Sequence, residues 1–250
     1  MKEEALPGGN ASAEVVRVGG TVRKPWSEGS AGVLEYMRIL RERGVDVPRP
    51  MGRDAQGRMV TEFVPGTPAT DAPPLIHAQL ARVGAMVRQI HDTSEGLDAD
   101  ALGLAPALIP VAEARLVCHG DLTPWNLLVG ERWLFVDWDG AAASTRLWDL
   151  AYSAQAFTLN DASADPHLAT EALRAFVDGY GADSDLRAGL VEALPERTWA
   201  MYELLRTSHR DGVEPWGAMF VEGHGEHWRT IAQFVEQGRS LWAEALGATE

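Results

Sequence analysis

The sequence predicts an α+β fold: a small N-terminal antiparallel sheet with one helix over residues 1–66, then a larger, mainly helical part over residues 67–250. Two observations carry this. Before residue 66, short apolar runs at a two-residue period are bounded by glycine and proline turns, which is how short strands read. Beyond it, apolar residues recur every three or four positions, and this pattern is interrupted once by short apolar runs between Leu116 and Asp139.

In chain order, Leu6-Pro7-Gly8-Gly9-Asn10 reads as a glycine turn and Glu14–Val18 as a strand. Gly19-Gly20 is a two-residue hairpin signal, and Thr21–Lys24 begins the next strand. Alternation places Val22 and Lys24 on one face of that strand and Arg23 on the other. Val33–Arg43 carries Leu34, Met37 and Leu40 on one helical face and is closed by Gly44. Gly52–Gly57 reads as a turn between short strands, Met59–Val64 as a strand with its exit, and Pro65-Gly66 as a boundary. A proline-rich linker, Thr67–Pro74, leads to a long helix carrying Leu80, Val83, Val87 and Ile90, and residues 94–112 read mostly as loop. After the interruption, one helical stripe holds Leu173, Phe176, Val177 and Tyr180, ending at Gly181. A second holds Trp199, Tyr202 and Leu205 after Pro195, and Trp228, Ile231, Val235 and Trp242 suggest one final helix.

The interruption carries the chemistry. Its runs Leu116–Cys118, Leu127–Val129 and Trp133–Val136 flank His119-Gly120-Asp121-Leu122-Thr123-Pro124-Trp125-Asn126 and end on Asp137. Strands with intervening turns put Asp121, Asn126 and Asp137 at strand ends or in the loop between them. Carboxylate and amide oxygens are the ligands that Mg²⁺ prefers, with positions left for water and phosphate. The spacing His-x-Asp-x-x-x-x-Asn, followed by Asp and an aromatic residue, matches the catalytic-loop and metal-Asp signatures of kinases.

With His-Gly-Asp in place of His-Arg-Asp, and Asp137-Trp138-Asp139-Gly140 where a protein kinase has Asp-Phe-Gly, the chain resembles the aminoglycoside phosphotransferase and choline-kinase-like family. The resemblance implies a protein-kinase-like two-lobe fold, with residues 1–66 as a nucleotide-binding lobe that includes the hinge and 67–250 as the catalytic and substrate-binding lobe. It implies a small-molecule kinase using ATP or GTP with Mg²⁺ and a hydroxyl acceptor. Asp121 would accept or orient the acceptor's proton, and Asn126 and Asp137 would bind the metal. Lys24 would reach the nucleotide phosphates, with Arg23 the competing choice if the register slips by one. Gly8 and Gly9 would lie over the phosphates, and Glu62 and Val64 would meet the adenine through their backbones. His119 would brace the loop by bonding backbone near Asp137, and Asp149 would support it from the segment Arg146–Ala151. Glu28 and Glu35 are the candidates for a helix glutamate that orients the lysine, though solvated surface glutamates are the alternative reading of each.

Composition limits the partners. A net charge of −14 argues against nucleic acid. Residues 1–66 hold 10 Lys/Arg against 9 Asp/Glu, whereas the remaining 184 hold 12 against 27, so the acidic excess lies in the C-terminal part. Such a surface would attract a cationic acceptor such as an aminoglycoside, which would make the activity one of antibiotic resistance; a merely soluble acidic surface is the alternative. No apolar run approaches a membrane span, and MKEEALPGGN lacks the apolar core of a signal peptide, so no membrane partner is expected. The single cysteine, Cys118, fits a cytoplasmic protein and reads as a small core residue. His224-Gly225-Glu226-His227 lacks a third ligand at recognisable spacing for zinc. Three other functions stay open: a catalytically silent kinase-like binding or immunity protein, a metal-dependent phosphoesterase using His119, Asp121 and Asp137, and a protein kinase. The last lacks the Ala-Pro-Glu that closes an activation segment.

Overall fold

The structure, a computed structural model, describes residues 2–6 and 15–247, so Gly8 and Gly9 lie outside the described residues. Two compact units are formed, one by residues 1–73 with 90–144 and the other by 74–89 with 145–250. Among the described residues, no helix is long and apolar enough to cross a membrane.

The first unit is built on a five-stranded antiparallel sheet. Its strands are β1 (Glu3–Ala5), β2 (Val16–Val18), β3 (Thr21–Lys24), β4 (Pro50–Arg53) and β5 (Met59–Glu62), in the order β1-β2-β3-β5-β4. Gly19 at φ 62 makes the tight β2–β3 turn, and Val18 pairs with Thr21 across it, as the Gly-Gly signal predicts. Helix α1 (Ser30–Glu42) starts three residues before the predicted Val33. Ser30 Oγ accepts the Ser27 N–H at 2.8 Å, which fixes the entry turn where the apolar pattern has not yet begun. Val33, Leu34, Tyr36, Met37 and Leu40 form its buried face, and Gly44, at φ 92, follows its end. In the β4–β5 turn the Asp54 carboxylate accepts the N–H groups of Gln56 and Arg58 at 3.0 and 2.9 Å.

The predicted linker is part of a sheet. Its first residues form β6 (Thr67–Pro68), which pairs with β8 (Leu127–Val129), and β8 pairs with β9 (Leu134–Phe135). β7 (Leu116–Cys118) does not pair with β8. Its partner is β10 (Ala142–Ser144), with Cys118 opposite Ala142. The chain reverses through a 3-10 turn at Trp138–Gly140, which brings the small residues that follow it back against β7. A one-turn helix, α3 (Ala99–Leu102), occupies part of the predicted loop, capped by Asp98 accepting the Ala101 N–H.

The second unit is helical. It takes α2 (His77–Thr93) as far as Gln89, then α4 (Arg146–Thr158), α5 (Pro166–Tyr180), α6 (Ser184–Asp211), α7 (Trp216–Met219), α8 (Gly225–Gln237) and α9 (Arg239–Leu246). Helices α2 and α5 cross at glycines. A Cβ on Gly84 would lie 2.1 Å from the Phe176 carbonyl oxygen, and one on Gly179 would lie 2.0 Å from that of Ala81.

Two helix boundaries differ from the prediction. Pro195 lies inside the 28-residue α6 instead of preceding a helix. It removes one backbone hydrogen bond, at a cost of about 3 kcal/mol. Burial of Leu190, Leu194, Met201 and Leu205 on the same helix, at about 1.5–3 kcal/mol for each such side chain, offsets that loss. The predicted final helix is two, divided at Gly238, where a Cβ would stand 2.3 Å from the Trp242 indole. Trp242 is fully buried there, and its indole N–H donates to the Val235 carbonyl at 2.8 Å.

Candidate active site

β3 delivers Lys24 into the first unit's interior, where the side chain is 11% exposed. Its ammonium contacts Asp137 Oδ1 at 2.8 Å and Asp139 Oδ2 at 2.7 Å. Arg23, on the opposite face of β3, pairs with Asp54 at 3.0 Å. The register therefore brings Lys24, and not Arg23, to the aspartate turn. Burial alone would lower the lysine's proton affinity, but the charges of Asp137 and Asp139 and their hydrogen bonds outweigh it and hold Lys24 above its ordinary value. The two acids diverge. Burial raises both, yet Lys24 carries Asp137 below the usual carboxylate range. Asp139 stays above that range, because burial and repulsion from Asp137 exceed the attraction of Lys24. Two carboxyl groups thus share one ammonium at the turn.

Asp137 has a left-handed backbone, φ 59 and ψ 61, which side-chain-bearing residues seldom adopt. Trp138 supports that conformation. Its indole is buried, donates to the Phe135 carbonyl at 2.9 Å, and packs on the Tyr36 ring edge-on at 5.6 Å and on the His119 ring at 4.4 Å. The aromatic residue between the two acids is thus a core anchor, and the carboxylates on either side of it both meet Lys24.

His119 is fully buried and joins the loop to the turn. Its Nδ1 accepts the Asp121 N–H at 3.2 Å, so Nε2 carries the proton and donates to the Val136 carbonyl at 3.1 Å. This is the backbone bond near Asp137 expected of it. Gly120 separates the two because nothing larger fits. It has φ 81, and a Cβ there would stand 2.6 Å from the Gly140 carbonyl oxygen.

The 3-10 turn Pro124–Asn126 folds back on Asp121. Asn126 Nδ2 donates to Asp121 Oδ2 at 2.7 Å and to its backbone carbonyl at 3.0 Å, and the Trp125 indole N–H donates to Oδ2 at 3.2 Å. With the amide nitrogen engaged on Asp121, the oxygen of Asn126 is the side chain's acceptor. The Val136 N–H donates to the Asn126 carbonyl at 2.8 Å, which sets Asn126 beside the strand leading into Asp137.

Glu62 ends β5, where its carboxylate accepts the Arg49 N–H at 3.0 Å and pairs with Arg132 at 2.9 Å. Its backbone N–H donates to the Arg49 carbonyl at 2.9 Å, and Val64 is buried two residues on. Neither helix glutamate meets Lys24. Glu35 pairs with Arg38 on the exposed face of α1, and Glu28 is exposed. The second acid on Lys24 is Asp139, which residue-by-residue reading of the sequence passed over. The signal was present in the spacing Asp-Trp-Asp, since a buried aromatic between two acids turns both the same way.

Residues 94–190 match the family model described as the phosphotransferase enzyme family, APH. No curated protein matches the chain significantly by sequence. Among solved structures, a choline/ethanolamine kinase family protein from Mesorhizobium loti is similar at 18% identity and TM-score 0.57, over 95% of this chain and 93% of its own. The amicoumacin kinase hAmiN is similar at 15% identity and TM-score 0.65, over 92% and 88%. A microcompartment-associated aminopropanol kinase is similar at 14% identity and TM-score 0.67, over 99% and 94%. The chain thus has the protein-kinase-like fold of these solved structures, and the match to the phosphotransferase family model lies within it, at residues 94–190.

Proposed function

We propose that this protein is a small-molecule kinase that moves the γ-phosphoryl group of a nucleoside triphosphate to a hydroxyl of a small, cationic metabolite or antibiotic. One observation carries the reading. Lys24 meets Asp137 and Asp139 at 2.7–2.8 Å in the same unit as a loop whose Asp121 carboxylate is held by Asn126. Phosphoryl transfer asks a protein for positioning and charge neutralisation, and this set offers both.

In this reading Asp121 orients the acceptor hydroxyl and takes its proton. Lys24 neutralises the phosphates that are not transferred, while Glu62 and Val64 offer backbone groups to the base. Gly8 and Gly9 cover the phosphates, and residues 1–66 and 67–250 act as the nucleotide and acceptor lobes. Asn126 and Asp137 would hold Mg²⁺, with Asp139, two residues after Asp137, as a further carboxylate at the turn. An amide oxygen and carboxylate oxygens suit that hard cation, which would supply charge neutralisation at the phosphates when bound. Solved relatives support the nucleotide class, since hAmiN is described with AMP-PNP and Ca²⁺ and an aminoglycoside 2'-phosphotransferase with GDP. ATP is the first choice and GTP the second.

The test is ADP or GDP release coupled to a reporter, run with both nucleotides over ethanolamine, 1-amino-2-propanol, choline and kanamycin. Acceptor-stimulated release that disappears in Asp121→Ala, with folding intact, supports the reading. Nucleotide binding without transfer to any acceptor would favour the catalytically silent binding protein, a reading also favoured by Glu28, which is exposed, and Glu35, which pairs with Arg38.

A further inference from the structure

Within the loop 119–126, Trp125 alone is exposed, at 36%, while His119, Leu122, Thr123 and Asn126 are buried. The part of a large ring left in water gains nothing for the fold. Its indole N–H, however, reaches Asp121 Oδ2 at 3.2 Å, the same oxygen that Asn126 Nδ2 holds at 2.7 Å. Both donors sit on consecutive residues of one 3-10 turn, so the turn fixes the carboxylate's orientation from one side. The loop is closed without the indole. Thr123 Oγ1 and Asn126 Nδ2 donate to the Asp121 carbonyl at 3.3 and 3.0 Å, and the Asn126 N–H donates to the Thr123 carbonyl at 3.1 Å. A turn staple would not need a tryptophan.

We propose that Trp125 is a positioning and specificity residue: its N–H aligns the Asp121 carboxylate, and its ring is the wall against which the acceptor lies. This rests on the reading of Asp121 as the group that meets the acceptor hydroxyl. In this proposal the acceptor hydroxyl on Asp121 lies beside the indole's N–H edge, and the group next to that hydroxyl lies on the exposed part of the ring, its π face. Such a face selects flat or cationic groups.

Trp125→Phe keeps a ring and loses the N–H, and Trp125→Ala loses both. Three quantities are measured on the full-length protein: Mg-ATP affinity by calorimetry, ADP release with water alone as acceptor, and transfer to ethanolamine, 1-amino-2-propanol and kanamycin. In Trp125→Phe, kcat for ADP release falls about 10- to 150-fold, as expected for one lost hydrogen bond to a charged group. Its acceptor KM stays within about twofold and its nucleotide affinity is unchanged. Trp125→Ala shows the same loss in kcat, and its KM for any acceptor used rises about 3- to 30-fold. Wild-type kcat in Trp125→Phe overturns the positioning role even if no acceptor in the panel is turned over. An unchanged acceptor KM in Trp125→Ala overturns the wall. A wild type that binds no nucleotide sinks instead the kinase reading on which both depend.

Discussion

Replacing Gly120 by alanine tests the join between the catalytic loop and the aspartate turn, and Gly44 provides an internal control. Both have left-handed backbones, at φ 81 and φ 92. A Cβ on Gly44 meets nothing within 4 Å, whereas one on Gly120 stands 2.6 Å from the Gly140 carbonyl oxygen. Gly44→Ala therefore carries only the backbone penalty, about 1–2 kcal/mol. Gly120→Ala carries that penalty and an overlap with backbone that cannot rotate away, about 1–3 kcal/mol more. At roughly 2–4 °C per kcal/mol for a chain of this size, Gly120→Ala melts about 2–12 °C below Gly44→Ala. Because Gly140 closes the turn that carries Asp137 and Asp139, Gly120→Ala also weakens nucleotide binding and Gly44→Ala does not. Thermal melts followed by circular dichroism measure the first difference and calorimetry the second. Equal melting points for the two variants would refute the proposed collision.

Other consequences follow from the same contacts. Lys24→Met removes the ammonium that Asp137 and Asp139 share, and nucleotide affinity falls by at least about tenfold in calorimetry; affinity equal to wild type would count against the lysine's role. Glu62 lies below its ordinary value of 4.5, because the Arg49 N–H and Arg132 outweigh its burial. Its ionised form thus adds stability above pH 4.5 that is lost as the pH falls through its lower folded value. The melting-point gap between wild type and Glu62→Gln is therefore open at pH 7 and closes in acid, and a gap that widens in acid would reverse the sign. Gly179→Ala places a Cβ against the Ala81 backbone and separates α2 from α5. Its denaturant midpoint falls by the equivalent of about 1–3 kcal/mol, and an unchanged midpoint would mean that the crossing is looser than described.

The candidate site was legible because its chemistry depends on polar residues at fixed spacing. His119, Asp121, Asn126 and Asp137 announce themselves by type and interval, and Gly19-Gly20 sets the register that sends Lys24 inward. What stayed hidden depends on distant packing. Ala142–Ser144 has nothing of a strand in its composition and becomes β10 because Cys118 on β7 pairs with it. Pro195 reads as a break, yet it sits within α6 because the surrounding side chains are buried. Gly238 ends a helix whose apolar stripe runs on, because the Trp242 indole fills the space of its missing Cβ. Asp139 is hidden as the lysine's partner because the second acid comes from the turn that already supplies Asp137 and not from a helix.

Titration of the full-length protein with Mg-ATP and Mg-GTP in a calorimeter bears most directly on the phosphotransfer site. Saturable one-to-one binding of at least one nucleotide is predicted, dependent on Mg²⁺ and lost in Asp137→Ala. Absence of binding by either nucleotide, or Asp137→Ala binding as tightly as wild type, would contradict it.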